Sequence, residues 1–320
     1  MEKILETLET KSRKALEMVK KQLLSKKIEN KEIQQALEYY AKNWDDTLHP
    51  GIIATACEAI GGDAKESLPI QVAMLFLTAA IDIHDDIIDE SQIKNGKHTV
   101  FGKFGRDITL LVGDGILLQG MTMINSYVGK VPTKTMKDLI STIENGFTEA
   151  GVAQALELGF KGRVNVDPDD YFEVLKKKAA ILETHTRIGA LIGGGTQSEI
   201  NALGEYGRIL GTLILLRDEL IDVFEAQELG NKMKSGCLPL PILYTFKNSQ
   251  TKEKILKILS KPKISEEDAE SIVDIVFAEK SVESLRKEME SLVVKARRII
   301  SKLRQKEELE SLLMATLEAI

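Results

Sequence analysis

Apolar residues recur every three to four positions along nearly the whole chain, and no convincing run alternates apolar with polar. The first helix so predicted, Met1 to Leu24, carries Ile4, Leu8, Ala15, Val19 and Leu23 on one broad stripe. A second spans Glu32 to Trp44. The segment Trp44-Asp45-Asp46-Thr47-Leu48-His49-Pro50-Gly51 then breaks the period, with Pro50 and Gly51 punctuating a loop before Ile52 to Ile60 resumes it. Gly61-Gly62 ends that helix, a central helix follows from about Ser67, and Asn95-Gly96 marks the next turn. Val100 to Val128 is mostly apolar, and Gly102, Gly105, Gly113, Gly115 and Gly120 lack phosphate-loop spacing, so they read as helix-packing positions.

Thr133 to Glu157 continues the helical period. Asp167 as N-cap and Pro168 at the first helical position open a helix through Leu182, and Gly189 and Gly193-Gly194-Gly195 interrupt or kink the stretch beyond it. Another helix runs from about Glu199, a loop covers Gly230 to Pro241, and Leu240 to Thr245 is helical again. After the break at Lys261-Pro262-Lys263, Ser265 and Asp268 resemble a capping box, and Ala269 to Leu317 supports one or two charged helices. The pattern predicts an all-α fold, a bundle of helices around a central cavity in a single domain over residues 1–320.

Two places break the apolar pattern in the same way. Asp82, Asp85, Asp86 and Asp89, with His84 among them, interrupt a run that is otherwise apolar from Val72 to Ile88. A helix puts Asp85 and Asp89 one turn apart, with Asp82 close by and Asp86 at the edge of that face. Asp218, Glu219 and Asp222 likewise follow the apolar run Ile209 to Leu216. A single such cluster is read equally well as a solvated helix end, but two of them suggest facing metal platforms. Buried carboxylates need cations, and oxygen-only ligands favour magnesium, which is commonly shared with substrate phosphates. Asp114 stands alone in the glycine-bearing helix, facing either the cavity or a polar seam.

Composition narrows the field. A net charge of −6 and the lack of a basic patch with interleaved aromatics give no reason to expect nucleic acid. Four histidines and two cysteines make neither a zinc cluster nor a nucleophilic triad. Cys57 and Cys237 lie in apolar surroundings, far apart in sequence, and read as buried thiols. No apolar signal core follows Met1, and no uninterrupted apolar stretch is long enough to span a bilayer, so the expected address is cytoplasmic, with peripheral membrane contact left open.

The motifs resemble the trans-isoprenyl diphosphate synthase (polyprenyl synthetase) family over most of the chain. The resemblance rests on His84-Asp85-Asp86-Ile87-Ile88-Asp89, on Gly61-Gly62 before it, and on Gly96-x-x-Thr99 and Gly113-Asp114 after it. Tyr206-Gly207-x-x-x-Gly211 ahead of the second acid cluster completes the set. It implies an isoprenoid synthase-like bundle in which magnesium ions bridge both clusters and the diphosphate of an allylic donor, whose ionisation leaves an allylic cation. By correspondence, Asp85 and Asp89 are the principal first-platform ligands and Asp86 assists. Asp218 is the ligand acid of the second, Glu219 replaces the usual Asp, and Asp222 keeps its place. Lys177 maps to the family's diphosphate-holding lysine, Lys94 replaces an arginine, and Lys232 or Lys234 is a further candidate for reaching the cavity.

The acceptor half departs from the family pattern. Where chain-elongating members hold isopentenyl diphosphate with Lys, Arg and a His or Gln, this chain has Asp46, His49, Thr78 and Asn95. Ile214-Leu215 replaces the usual Phe-Gln, and Ser235-Gly236-Cys237-Leu238-Pro239 replaces a lysine-bearing segment. Ala80, flanked by Ile81 and Leu77 with Met74 deeper, leaves no bulky floor under a long prenyl chain. The expectation is a magnesium-dependent prenyltransferase that passes a long all-trans prenyl group to a hydrophobic or hydroxylated acceptor other than isopentenyl diphosphate. The alternatives are a chain-elongating geranylgeranyl- or longer prenyl-diphosphate synthase, or a weakly active or non-catalytic subunit of a heteromeric prenyl synthase. A homodimer is the expected assembly, with a heteromer as its alternative.

Overall fold

The computed structural model describes residues 2–94, 96–226, 229–230, 232 and 237–318. The first helices are α1 (Glu2–Ser25), α2 (Lys31–Asn43), α3 (Leu48–Ala59) and α4 (Ala64–Ile88). A two-residue antiparallel hairpin, β1 (Ile93–Lys94) with β2 (Lys97–His98), leads into α5 (Val100–Asn125). Then come α6 (Thr133–Leu158), α7 (Pro168–Lys178), α8 (Ala180–Ile192) and α9 (Gln197–Ile221), which ends in a 3-10 turn, Asp222–Phe224. Leu240–Thr245, Ser249–Leu259, Glu266–Phe277, Lys280–Ile300 and Glu307–Glu318 form α10 to α14.

The all-α bundle is built on α4 and α9. From Ile70 to Ala80 every residue of α4 is buried, because its sequence is apolar on all sides there and α1, α3, α5 and α8 pack around it. Close approach of α5 depends on missing side chains: a Cβ at Gly120 would lie 2.7 Å from Leu77, and one at Gly113 would lie 2.6 Å from His84. Gly105 has another task. Its φ of +76° kinks α5 near its start, which an L side chain resists.

Several boundaries differ from those the pattern predicts. Helix α3 starts at Leu48 rather than Ile52, since Pro50 lies in the first turn, where no backbone donor is required. The Asp46 carboxylate there accepts the His49 N–H at 3.1 Å. The run from Pro168 breaks at Ala179 into α7 and α8. Gly189 does not interrupt α8; a Cβ there would lie 2.4 Å from the Ile53 carbonyl, so it is a packing position. Thr196 and Glu199 form a reciprocal capping box, starting α9 at Gln197. The predicted Ser265–Asp268 box is present, and the charged C-terminal stretch makes three helices rather than one or two. Two helices, α4 and α5, are also long and apolar enough by length and composition to cross a membrane, with mean hydropathies of 1.4 and 1.3. In α4 that window is 72% buried in the protein, and in α5 only 33%.

Candidate active site

The core face of α4 ends on Ile83 and Ile87, leaving Asp82, Asp85, Asp86 and Asp89 to project from its last turns. Burial pushes the Asp85 carboxyl up to about 7; Asp89 and Asp82 add to this, and Lys178 and Lys94 oppose it. Burial likewise raises Asp86 to about 6, and raises Asp82 and Asp89. Gln154 of α6 lies 3.5 Å from Asp89. Four acids therefore share too little positive charge and too little water, a donor set of hard oxygens suited to a magnesium ion. Among the described residues no three acidic, His or Cys side chains form a metal site by themselves, so a cation here would draw further oxygens from its surroundings. A cleft of about 360 Å³ opens beside them, lined by Tyr40, Trp44, Asp82, Asp86, Lys94 and Lys97 among others.

The second cluster divides into unlike acids. Asp218 is 49% exposed and accepts from Arg217 at 2.7 and 3.1 Å. Glu219, expected to be a metal ligand, is instead buried with both oxygens engaged. Its Oε1 lies 2.9 Å from the Tyr171 hydroxyl and 3.1 Å from Lys232 Nζ, and its Oε2 accepts the Leu240 N–H at 2.7 Å. Lys232 also reaches Asp222 at 2.5 Å. Burial alone would lower the Lys232 pKa, but Glu219 and Asp222 outweigh it and raise it. Lys232 therefore joins two acids of the second cluster, and Glu219 braces that cluster through the start of α10. Lys234 lies outside the described residues, as do Asn95, Ser235 and Gly236.

A polar chain joins the two clusters. Lys178, the last residue of α7, bears on Asp85 and Asp89 by its charge and is ion-paired with Glu157 of α6. Glu157 in turn lies 3.1 Å from the Tyr171 hydroxyl that meets Glu219. Lys177 is exposed, and the lysine facing the acids is its neighbour. The shift of one position follows from α7 ending at Lys178, a boundary the long helix predicted from Pro168 conceals.

Of the positions expected to meet the acceptor, Asp46, His49 and Thr78 are engaged within the protein. Asp46 Oδ2 lies 2.7 Å from His49 Nδ1. Burial would raise Asp46, but His49 holds it below the ordinary carboxylate value. Burial would lower His49, but the charge and hydrogen bond of Asp46 raise it. The Thr78 hydroxyl is turned back onto the Met74 and Leu75 carbonyls at 3.1 and 3.2 Å. Ala80, Leu77 and Met74 are all buried in the core, and Ile214 and Leu215 pack against it. Asp114 lies 3.3 Å from His84 Nε2 and is 56% exposed, which places it in a polar seam.

A sequence model of the polyprenyl synthetase family matches residues 30–276. The chain belongs to the polyprenyl synthetase family. It is 27% identical over 220 residues to a short chain isoprenyl diphosphate synthase of Methanothermobacter thermautotrophicus, covering 66% of this chain and 67% of that one. It is 30% identical over 236 residues to the chloroplastic geranylgeranyl pyrophosphate synthase 11 of Arabidopsis thaliana, covering 68% and 65%. The matched stretch thus spans about two thirds of each relative. The crystal structure of geranylgeranyl pyrophosphate synthetase from Pyrococcus horikoshii superposes with a TM-score of 0.86 at 22% identity, over 99% of this chain and 98% of that one. A decaprenyl diphosphate synthase from Rhodobacter capsulatus gives 0.82 at 18% identity, over 98% of both. These two likenesses show the isoprenoid synthase fold.

One residue of this family member escapes the motif reading altogether. His185 of α8 is fully buried, and its ring lies 4.7 Å from that of His49. Nothing in sequence links it to Asp46, since the two come together only where α8 packs on α3.

Proposed function

We propose that this chain is a magnesium-dependent prenyltransferase acting on a long all-trans allylic prenyl diphosphate. The observation that carries the reading is the set of burial-raised acids at the end of α4, joined through Lys178, Glu157 and Tyr171 to the acids ending α9. Asp85, Asp86 and Asp89 would hold magnesium on one side, with Asp218 and Asp222 on the other. Bound there, the metal supplies neutralisation of the charge that develops on the departing diphosphate. Lys178 and Lys94 are placed to take phosphate oxygens, and Lys178 assumes the part expected of Lys177. Glu219, Tyr171 and Lys232 hold the second cluster in register.

Two acceptors compete. The names of the relatives favour isopentenyl diphosphate, and so chain elongation, over a different acceptor. Lys94 and Lys97 give the cleft a cationic edge consistent with that. The Asp46–His49 pair favours a neutral acceptor, because an ionised Asp46 repels a diphosphate. Purified protein with magnesium and geranylgeranyl diphosphate, with and without isopentenyl diphosphate, tests both. Longer prenyl diphosphates establish elongation. Diphosphate release without elongation supports another acceptor. If neither occurs alone but adding a complete synthase restores turnover, the chain is a subunit of a heteromer.

Helix α5 exposes Leu110, Leu111, Leu118 and Met121, an apolar face suited to a second copy of the chain. Light scattering that finds a monomer would oppose this, and association with membrane vesicles would assign the face to lipid. Cys57 and Cys237 are buried free thiols, which suits a reducing compartment such as the cytoplasm.

A further inference from the structure

We infer that Arg208 of α9 is a positioning residue for the donor's diphosphate, acting through the end of α7, where it sets the lysine that faces the acids. The inference rests on the donor chemistry proposed above and goes beyond it. The break at Ala179 ends α7, and the last carbonyls of a helix have no partner within it. Arg208 takes two of them: Nη1 donates to the Lys176 oxygen at 2.9 Å and lies 3.4 Å from the Lys177 oxygen. Lys178, the next residue, is the one whose charge bears on Asp85 and Asp89. The rest of the guanidinium is fixed as firmly. Nη1 and Nη2 meet the two Glu149 oxygens of α6 at 2.9 and 2.7 Å, and Nε meets Glu183 in the first turn of α8 at 2.6 Å. One side chain thus ties α6, the end of α7 and the start of α8 to α9.

The helix that carries Arg208 also carries the second acid cluster. Asp218 lies further along α9, about 15 Å on at the rise of an α-helix. Arg208 therefore holds Lys178, which faces the first acids, in register with the second. Two glycines let α9 come this near. A Cβ at Gly207 would lie 2.7 Å from the Leu182 carbonyl oxygen, and one at Gly211 would lie 3.0 Å from the Ala179 Cβ. The motif Tyr206-Gly207-x-x-x-Gly211 thus seats α9 on the break that ends α7. The competing reading is charge balance, in which Arg208 neutralises Glu149 and Glu183 and does no more. Glu183 already has a second cation, Arg187 at 2.7 Å, so charge alone asks little of Arg208 there. A lysine could also neutralise these acids, but it has no planar fork to meet both carboxylates and the carbonyls. That difference separates the two readings.

The test is calorimetric binding of inorganic diphosphate, with magnesium, to the full chain as wild type, Arg208→Gln, Lys178→Ala and the double variant. Each single change is expected to weaken binding about tenfold, and the double about tenfold as well, because both remove the same contact. Arg208→Lys keeps the charge between Glu149 and Glu183, so it serves where Arg208→Gln does not fold. It is expected to bind more weakly than wild type by about threefold or more. Single losses that multiply to about a hundredfold in the double variant overturn this inference alone. So does an Arg208→Gln protein that binds as wild type, or full recovery with lysine. A Lys178→Ala protein that binds as wild type overturns it together with the part given to Lys178. Wild-type protein that binds no diphosphate overturns the donor reading and this inference together.

Discussion

The end of α4 and the start of α3 each set an acid beside a base, with opposite results. At the end of α4, burial outruns the charge of Lys178 and Lys94, and Asp85 is pushed up to about 7. At the start of α3, Asp46 is hydrogen-bonded to His49 three residues away, and His49 holds it below the ordinary carboxylate range. The first region needs positive charge that the fold does not supply, and divalent metal ions would bring it. The second already gives its acid a hydrogen-bonded partner. Proximity of opposite charges is therefore a poor guide to a binding site, and the balance between burial and partners is a better one.

The comparison breaks most decisively at Asp85. Asp85→Asn should lower diphosphate release by about a thousandfold, or about 4 kcal/mol, because it removes a ligand whose effect is exerted on the departing charge. The same change should not destabilise the metal-free protein. An acid whose folded pKa lies above its unfolded value contributes stability at low pH that is lost as pH rises through about 7. At pH 8 the charged, buried Asp85 is a liability and Asn is not, so the variant should melt at the same or a higher temperature. A lower one would show that internal cations already satisfy this acid. Next in size is Glu219→Ala, which leaves Lys232 with one partner and the Leu240 N–H with none. Denaturant unfolding should show a loss of about 3 kcal/mol, with Glu219→Gln losing less. An unchanged midpoint would mean that Glu219 faces the cavity as a ligand.

The helices are legible in the sequence because each carries its own period and punctuation, and the Ser265–Asp268 box is read directly from spacing. The acid clusters are legible because carboxylates in an apolar run have few explanations. What sequence hides is whatever depends on where a helix ends or what packs on it. The break at Ala179 decides that Lys178 rather than Lys177 faces Asp85, and no Gly or Pro marks it. Glu219 and Asp222 look alike in the motif, yet the former is buried under α10 by a contact twenty-one residues away. His185 resembles any buried histidine until α8 is laid against α3.

A smaller effect sharpens the acceptor side. Asp46→Asn removes the repelling charge while keeping a hydrogen-bond acceptor for the His49 N–H. Removing one poorly screened like charge corresponds to about 1.4 kcal/mol, so the KM for isopentenyl diphosphate should fall about tenfold if that substrate binds beside α3. A KM that does not move places the substrate's diphosphate elsewhere, most simply at the Lys94–Lys97 edge of the cleft.

The smallest effect concerns pH. His49 is raised in the folded protein, so its pairing stabilises fully below the ordinary imidazole value of 6.5 and is lost as pH climbs through the folded value. Asp46 is lowered, so its share is present above the ordinary carboxylate value of 3.8 and is lost as pH falls through the folded value. The pair therefore contributes most between these two limits. The stability difference between wild type and His49→Gln should peak there at about 1 kcal/mol and shrink on both sides. Asp82 and His185 also face this pair, from α4 and α8, but both remain in the variant and largely cancel from the difference. A difference that instead grows toward pH 8 would mean that His49 is neutral when folded and held by packing. Asp46 would then lack its internal cation, and the start of α3 would behave as the end of α4 does.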